Sequence, residues 1–324
     1  MAAMTLGIVG FGIMGERLLR AALAQEQETV TVAGVFDPAP AAQQRLRESL
    51  PQVAVMASAE AAVAASDCLY VASPPVSHLG YARLAMAADI AFFSEKPLAV
   101  DVAAARAFVA EVEAWGPRAA VNYIFASSPA VDQIEAWMRE GVVGQPRGVS
   151  IELAFAAWPR PWQMDAAGWL SLREQGGFTR EVASHFLFLS QRLFGDLALR
   201  EARVEWPAGE ASETAIAATL SAGSLPVRLD GRVGATDLDD HNLWTLEGET
   251  GAVRLRDWAI AERRMPDGNW AQAPDAMPNE RARPLVLQRQ LGKLAAMVAG
   301  EPHNLASVRE ALQVQEAVEG ILGA

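Results

Sequence analysis

Gly10-Phe11-Gly12-Ile13-Met14-Gly15 spells G-x-G-x-x-G directly after the apolar run Leu6–Val9 and at the head of the amphipathic stretch Ile13–Ala24. Alone the pattern is weak, because glycines are common. Between a strand and a helix it reads as a phosphate-binding turn. Gly10 permits the tight turn, Gly12 lets backbone approach a pyrophosphate, and Gly15 lets helix and strand pack closely. The helix N-terminus offers free amides and a positive dipole end, so Phe11, Ile13 and Met14 join the glycines as candidate cofactor contacts. Asp37 ends the second strand, 22 positions after Gly15. An acid there accepts a hydrogen bond from an adenine ribose 2′-hydroxyl and repels a 2′-phosphate. NAD is therefore the expected cofactor, with NADP left open. Asp37 also suits the turn before Pro38.

In open α/β sheets, ligands sit beyond the carboxyl ends of the strands. Two further segments leave such ends. Ala72-Ser73-Pro74-Pro75-Val76-Ser77-His78 follows a fourth strand and Glu95-Lys96-Pro97 a fifth, counting Val53–Met56 as a weak third. Ser73, Pro74, Glu95 and Lys96 are expected at the cofactor cleft. His78 either neighbours the cofactor or caps the helix that it begins. Polar residues and proline end many strands, which accounts for Glu95 and Pro97 but not for a lysine at that edge. An ammonium there can hold a substrate hydroxyl and exchange its proton as hydride moves.

Glu181 and His185 stand four apart, just after Gly176-Gly177, on an otherwise apolar helical stretch, Thr179–Phe194. On a helix that spacing puts both on one face. With histidines only at 78, 185, 241 and 303, no metal-ligand trio is visible, and no metal is expected. Trp158, Arg160 and Trp162 follow the first strand of the later half. Aromatic faces beside polar groups suit sugar rings, and Arg160 or Arg180 suits a carboxylate or phosphate. Packing accounts for the tryptophans equally well.

The elements that must position these residues divide the chain in two. Up to about residue 122, apolar runs at Leu6–Val9, Val30–Phe36, Cys68–Ala72, Ile90–Phe93 and Ala119–Val121 alternate with helical stretches. That alternation gives βαβ units and a parallel, doubly wound sheet. From 123 to 324 a helix is expected at Ala130–Glu140, then strand-like text to about Leu255 interrupted by a helix at Thr179–Phe194, then helices at Leu285–Val298 and Ala306–Ile321. The fold class is α/β followed by α+β, the second domain built on a mostly antiparallel open sheet. The closing helix is the element placed to return to the first domain. With 324 residues, 51 % of them hydrophobic, the chain can fill two cores. A net charge of −12 argues against nucleic-acid and anionic-membrane partners. The single cysteine, Cys68, reads as a core residue. No signal peptide or membrane-length run is evident, so a cytoplasmic location is expected.

The glycine loop, Ser73-Pro74-Pro75…His78 and Glu95-Lys96-Pro97 together resemble the glucose–fructose oxidoreductase / inositol dehydrogenase / MocA family. Gly141-Val142-Val143-Gly144-Gln145 resembles that family's G-x-x-G-[EQ] element. Gly176–His185 resembles its glycine-rich run ending in D-x-x-x-H, with Glu181 in place of the aspartate. The resemblance implies a Rossmann NAD(P)-binding domain at 1–122 and a substrate-binding and oligomerisation domain at 123–324. It implies that Lys96 is the catalytic lysine, that Pro97 is often cis, and that His185 is the acid/base partner beside the substrate hydroxyl. Phe188 stands where the family often has an acid. The expected activity is hydride transfer between nicotinamide and a carbinol or carbonyl carbon of a sugar, polyol or related small molecule. A reductase of a C=N or conjugated substrate, and a non-catalytic dinucleotide sensor, are the alternatives. A homodimer or homotetramer through the second sheet is expected.

Overall fold

The computed structural model describes residues 3–25 and 29–323. Its first sheet has five parallel strands in the order β2-β1-β3-β4-β5. They are β1 (Met4–Val9), β2 (Val30–Phe36), β3 (Cys68–Val71), β4 (Ala91–Ser94) and β5 (Ala119–Val121). The intervening helices are α1 (Ile13–Leu23), α2 (Pro40–Ser49), α3 (Ala59–Ala64), α4 (His78–Ala87) and α5 (Val102–Trp115). Strands β3 and β4 are buried throughout, as expected of central strands covered on both faces. Sequence order reverses at β1, between β2 and β3, so the crevice for a ligand opens there.

Val53–Met56 is not a strand. It makes one bridge beside β2, Val35 with Val55, because Ser58 already caps α3. The Ala72–His78 and Glu95–Pro97 segments therefore leave the third and fourth strands, not the fourth and fifth.

The second sheet has eight strands in the order β13-β12-β11-β10-β6-β9-β8-β7. After α6 (Pro129–Arg139) come β6 (Pro146–Phe155), the short α7 (Ala167–Leu170) and α8 (Ser184–Phe194). Then follow β7 (Leu197–Glu205), β8 (Ala215–Ala222), β9 (Leu225–Val233), β10 (Asp240–Gly248), β11 (Ala252–Arg256), β12 (Ile260–Arg264) and β13 (Trp270–Gln272). Neighbours are antiparallel except β6 and β9, which are parallel. Side chains alternate along each strand. Val149, Ile151, Leu153, Val227 and Leu229 are buried, whereas Glu152, Arg228 and Arg232 on the opposite face are exposed. Trp244, fully buried, donates from Nε1 to Ser190 Oγ of α8 at 2.9 Å. Two long helices close the chain, α9 (Asn279–Val298) and α10 (Val308–Leu322).

The chain forms two compact units whose boundary differs from the expected 122/123. The first runs to Ser127 and regains Pro284–Leu312; the second is Ser128–Arg283 with the chain from Gln313 onward. The physical reason is burial. Leu287, Leu291, Leu294, Met297 and Leu305 lie in the same apolar core as Leu6, Ile8, Tyr70 and Phe93. The element that returns to the first core is thus mainly α9, not the closing helix. No helix among the described residues is long and apolar enough to cross a membrane.

Candidate functional site

In the first unit, backbone hydrogen bonds align the carboxyl ends of all five strands. Gly10 N donates to Phe36 O, Ala72 N to Val9 O, Glu95 N to Val71 O and Asn122 N to Ser94 O, at 2.7–2.8 Å. The three glycines of the loop have separate roles. Gly10 has φ +99°, and a Cβ there would lie 2.6 Å from the Ala72 carbonyl carbon. At Gly15 a Cβ would run into the Gly10 carbonyl oxygen. At Gly12 a Cβ would meet nothing within 4 Å, and no side chain caps α1. The first-turn amides at Ile13 and Met14 carry no side-chain cap, which suits them to an anion.

Asp37 is both turn residue and ribose candidate. Its Oδ1 accepts from Ala39 N (2.8 Å) and its Oδ2 from Phe11 N (2.7 Å), which fixes the carboxylate and leaves lone pairs for a hydroxyl. The Phe11 amide, a cofactor candidate in the sequence, is taken by Asp37 here, and its ring is buried. Arg45, not signalled by the sequence, lies over the Phe11 ring at 4.7 Å and donates to the Phe11 carbonyl. It also pairs with Glu16 at 3.3 Å.

His78 neither caps its helix nor stands at the surface. It is buried, with Nδ1 2.8 Å from Pro97 O and Nε2 2.8 Å from Ser73 O. It joins the loop after β3 to the loop after β4. Ser73 Oγ meets Ser77 Oγ at 2.7 Å, and Ser77 Oγ donates to the carbonyl of Pro74, so that loop is a closed turn.

Glu95 is buried in a hydrogen-bond network. Its Oε1 accepts from the Tyr70 hydroxyl and from Asn122 Nδ2 (2.6 Å), and Asn122 Oδ1 accepts from Gln290 of α9 at 2.5 Å. Burial, then the charge of Glu95, holds the Tyr70 phenol well above its ordinary value, so Tyr70 stays a donor. Lys96 is 9 % exposed, and its bond to Pro97 is cis. The lysine thus stands in the chain between two held neighbours, Glu95 in its hydrogen-bond network and Pro97 at the His78 bridge.

In the second unit, the loop Gly176-Gly177 closes on a buried acid that the sequence reading missed. Gly177 has φ +98°, and a Cβ there would collide with Glu213. Glu213 Oε1 accepts from Thr179 N (2.7 Å) and Thr179 Oγ1 (2.6 Å). Burial raises the Glu213 carboxyl above its ordinary value against the pull of these bonds and of Arg180. The chain then makes one turn of wide π-type helix, Thr179–Ala183, before α8. Glu181 and His185 therefore lie on either side of a change in helical pitch, not on one regular α-helix.

His185 is 7 % exposed and meets Trp258 edge-on, with centroids 5.5 Å apart. Trp258 Nε1 donates to Asp240 Oδ2 (3.2 Å), the oxygen that also accepts from Arg160 Nη1 at 2.5 Å. Arg160 Nε donates to Gln163, and the guanidinium lies 4.6 Å from the Trp162 ring. Burial pulls the Arg160 guanidinium below its ordinary value, opposed by Asp240 and Glu181. Arg160 is thus a buried, paired member of the cluster. Trp162 is 38 % exposed and offers a ring face.

Two expected substrate contacts are otherwise engaged. Arg180 donates to Glu319 from Nε and Nη2 (2.7 Å each) and to the carbonyls of Arg173 and Gly176. That leaves no open fork for a substrate anion. Trp158 is part-buried, donates to Leu170 O (3.1 Å) and packs against Phe155 and Phe178. Trp258, Asp240 and Arg283 are the residues of this cluster that the sequence did not signal. Among the described residues, no group of three or more His, Cys, Asp or Glu is arranged to hold a metal.

Residues 4–123 match the family model Gfo/Idh/MocA, described as an oxidoreductase family with an NAD-binding Rossmann fold. A curated relative, D-apiose dehydrogenase of Paraburkholderia graminis, is 29 % identical over 134 residues. The match spans 40 % of this chain and about a third of that protein, 34 %. An oxidoreductase from Thermotoga maritima superposes with TM-score 0.82 at 15 % identity, over 99 % of this chain and 96 % of its own. One from Agrobacterium radiobacter, solved with NAD+, L-tartaric acid and magnesium, gives 0.81 at 18 % identity, over 98 % and 95 %. The fold of the whole chain is thus that of these two-domain oxidoreductases.

Proposed function

From the match of residues 4–123 to the Gfo/Idh/MocA model of NAD-binding oxidoreductases, we propose that the chain is an NAD(P)-dependent dehydrogenase or reductase. It acts on a carbinol or carbonyl carbon of a sugar, polyol or related small molecule, with NAD preferred. The nicotinamide, when bound, supplies or takes the hydride. The first-turn amides of α1 hold the pyrophosphate, and Asp37 accepts from the adenine ribose. Lys96 holds the substrate hydroxyl oxygen and exchanges its proton. His185 is the second proton-handling group, and Glu181 sets its surroundings.

The observation that carries this reading is the pair of held neighbours on either side of Lys96. A lysine between a hydrogen-bonded Glu95 and a His78-bridged Pro97, at the end of a parallel-sheet strand, suits proton exchange at a hydroxyl. A cofactor sensor has no need of it. The hydroxylated molecules named with two similar proteins, D-apiose and L-tartaric acid, support a polyhydroxylated substrate.

The test is initial rates with NAD and NADP, in both directions, over sugars, polyols, sugar acids and keto compounds. Lys96→Met is expected to abolish turnover and leave NADH binding nearly intact. Normal turnover in that variant sinks the assignment. We also propose that a second copy pairs through the open face of the second sheet. Its exposed side carries matched charges, Arg228 with Asp230 and Arg232 with Glu205, which a two-fold partner can complement. A monomer by light scattering refutes the pairing.

A further inference from the structure

Arg283 is part-buried, unlike Arg139, Arg263 and Arg281, exposed arginines of the second unit that also lack an ion pair among the described residues. Its guanidinium lies 5.8 Å from the Trp162 ring, and it makes no hydrogen bond or ion pair among the described residues. It is part-buried near the start of α9. Trp162 lies under two guanidinium groups, Arg160 at 4.6 Å and Arg283 at 5.8 Å. Of the two acids whose charge reaches it, Glu280 and Asp240, the latter is already taken: its Oδ2 accepts from both Arg160 and Trp258. Desolvation, then the charge of Arg160, pulls the Arg283 guanidinium below its ordinary value, with Glu280 and Asp240 opposing. A part-buried guanidinium beside a like charge costs free energy unless an anion joins it.

We infer that Arg283, with Trp162 beneath it, forms the subsite for a substrate carboxylate, so that the substrate class is sugar acids or other polyhydroxy acids. This rests on the dehydrogenase reading above. The Arg283 fork offers two parallel donors, which a planar carboxylate fills in bidentate fashion. One positive charge without an ion pair, with Glu280 acting on it and Glu181 and Asp239 acting on the neighbouring Arg160, balances a monoanion and disfavours a phosphate dianion. The exposed face of Trp162 carries the apolar C–H side of the polyol chain. Contact runs from that subsite through Asp240 and Trp258 to His185, so acid group and proton-handling group belong to one side-chain cluster.

The experiment is calorimetric titration of the NAD-loaded protein with gluconate, glucuronate and galactarate, and with their neutral counterparts glucitol and glucose. At least one acid is expected to bind at least about tenfold more tightly than its neutral counterpart, the worth of one charged hydrogen-bonded pair. Arg283→Met is expected to remove that preference. Arg283→Lys should restore only part of it, because an ammonium is not a fork. In rates, Arg283→Met should raise KM for the acid far more than it lowers kcat. Equal binding of acid and neutral partners, no acid bound at all, or an acid preference that survives in Arg283→Met overturns the proposal. Those outcomes are read without turnover, so they are separate from the Lys96→Met test of the activity. A folded Arg283→Met is verified by unchanged NADH binding.

Discussion

Trp258 meets His185 edge-on, 5.5 Å between ring centroids, from a backbone that few tryptophans adopt. Asp257 and Trp258 have φ of +48° and +73° in the turn between β11 and β12. Left-handed backbone at a bulky residue costs on the order of 1–2 kcal/mol and persists only where the surroundings hold it. Here the indole holds two things: the His185 ring by its edge, and Asp240 by its N–H.

Two substitutions separate that strain from that role. Trp258→Gly relieves the backbone and Trp258→Ala does not, so urea unfolding should find the glycine variant more stable by about 1 kcal/mol. Both variants lose the edge against His185, and both are expected to lose roughly ten- to hundredfold in kcat. A Trp258→Ala protein with wild-type kcat makes the contact mere packing.

The glycine loop allows folding and cofactor binding to be separated one methyl group at a time. Gly15→Ala drives a methyl into the Gly10 carbonyl and is expected to destabilise the first unit by several kcal/mol. Gly12→Ala meets nothing within 4 Å, so the melting temperature should stay within a few degrees. Its NADH affinity should nonetheless fall at least about tenfold, because the methyl occupies the space for the pyrophosphate. Fluorescence titration with NADH beside thermal unfolding reads both. A Gly12→Ala protein that binds NADH normally removes the cradle from the argument.

Glu213 gives the fold a pH dependence of definite sign. Its folded pKa is raised above the ordinary 4.5, by burial first. The folded state therefore holds a proton that the unfolded state has released, and stability falls as pH rises from about 4.5 through the folded value. Glu213→Gln keeps an acceptor for Thr179 and carries no charge. The wild type should thus lose urea resistance between acid and neutral pH that the variant retains. Parallel slopes in the two proteins contradict the assignment.

The rim of the first sheet was legible because each piece is local. A strand, a glycine turn and an acid at the next strand end are read within about thirty residues, and the topology sets them side by side. Lys96 was legible for the same reason. The second-unit cluster was not. Asp240 reaches Arg160 only because β10 pairs with β6 in the register that sets Asp240 opposite Phe155. Nothing near Asp240 in the chain announces that partner. Strand β12 escaped notice because Glu262, a buried acid, interrupts its apolar text. Arg254 and Arg256 of the neighbouring strand satisfy it at 2.5 and 3.0 Å. Arg283 sits in Glu280-Arg281-Ala282-Arg283-Pro284, where two arginines look alike and only the fold distinguishes them.

The return of α9 to the first core changes what counts as a transferable module. Gln290 completes the Tyr70–Glu95–Asn122 chain of hydrogen bonds, and Leu287, Leu291, Leu294 and Met297 fill the core beside it. A gene fragment that stops at Ser127 encodes every strand of the cofactor sheet and still omits part of its interior. Recombination that exchanges substrate specificity must therefore cut at three points, after Ser127, Arg283 and Leu312, and carry the stretch between the last two with the cofactor half. The two units interleave in the gene, and shuffling at one crossover would leave a nucleotide-binding sheet without its lining.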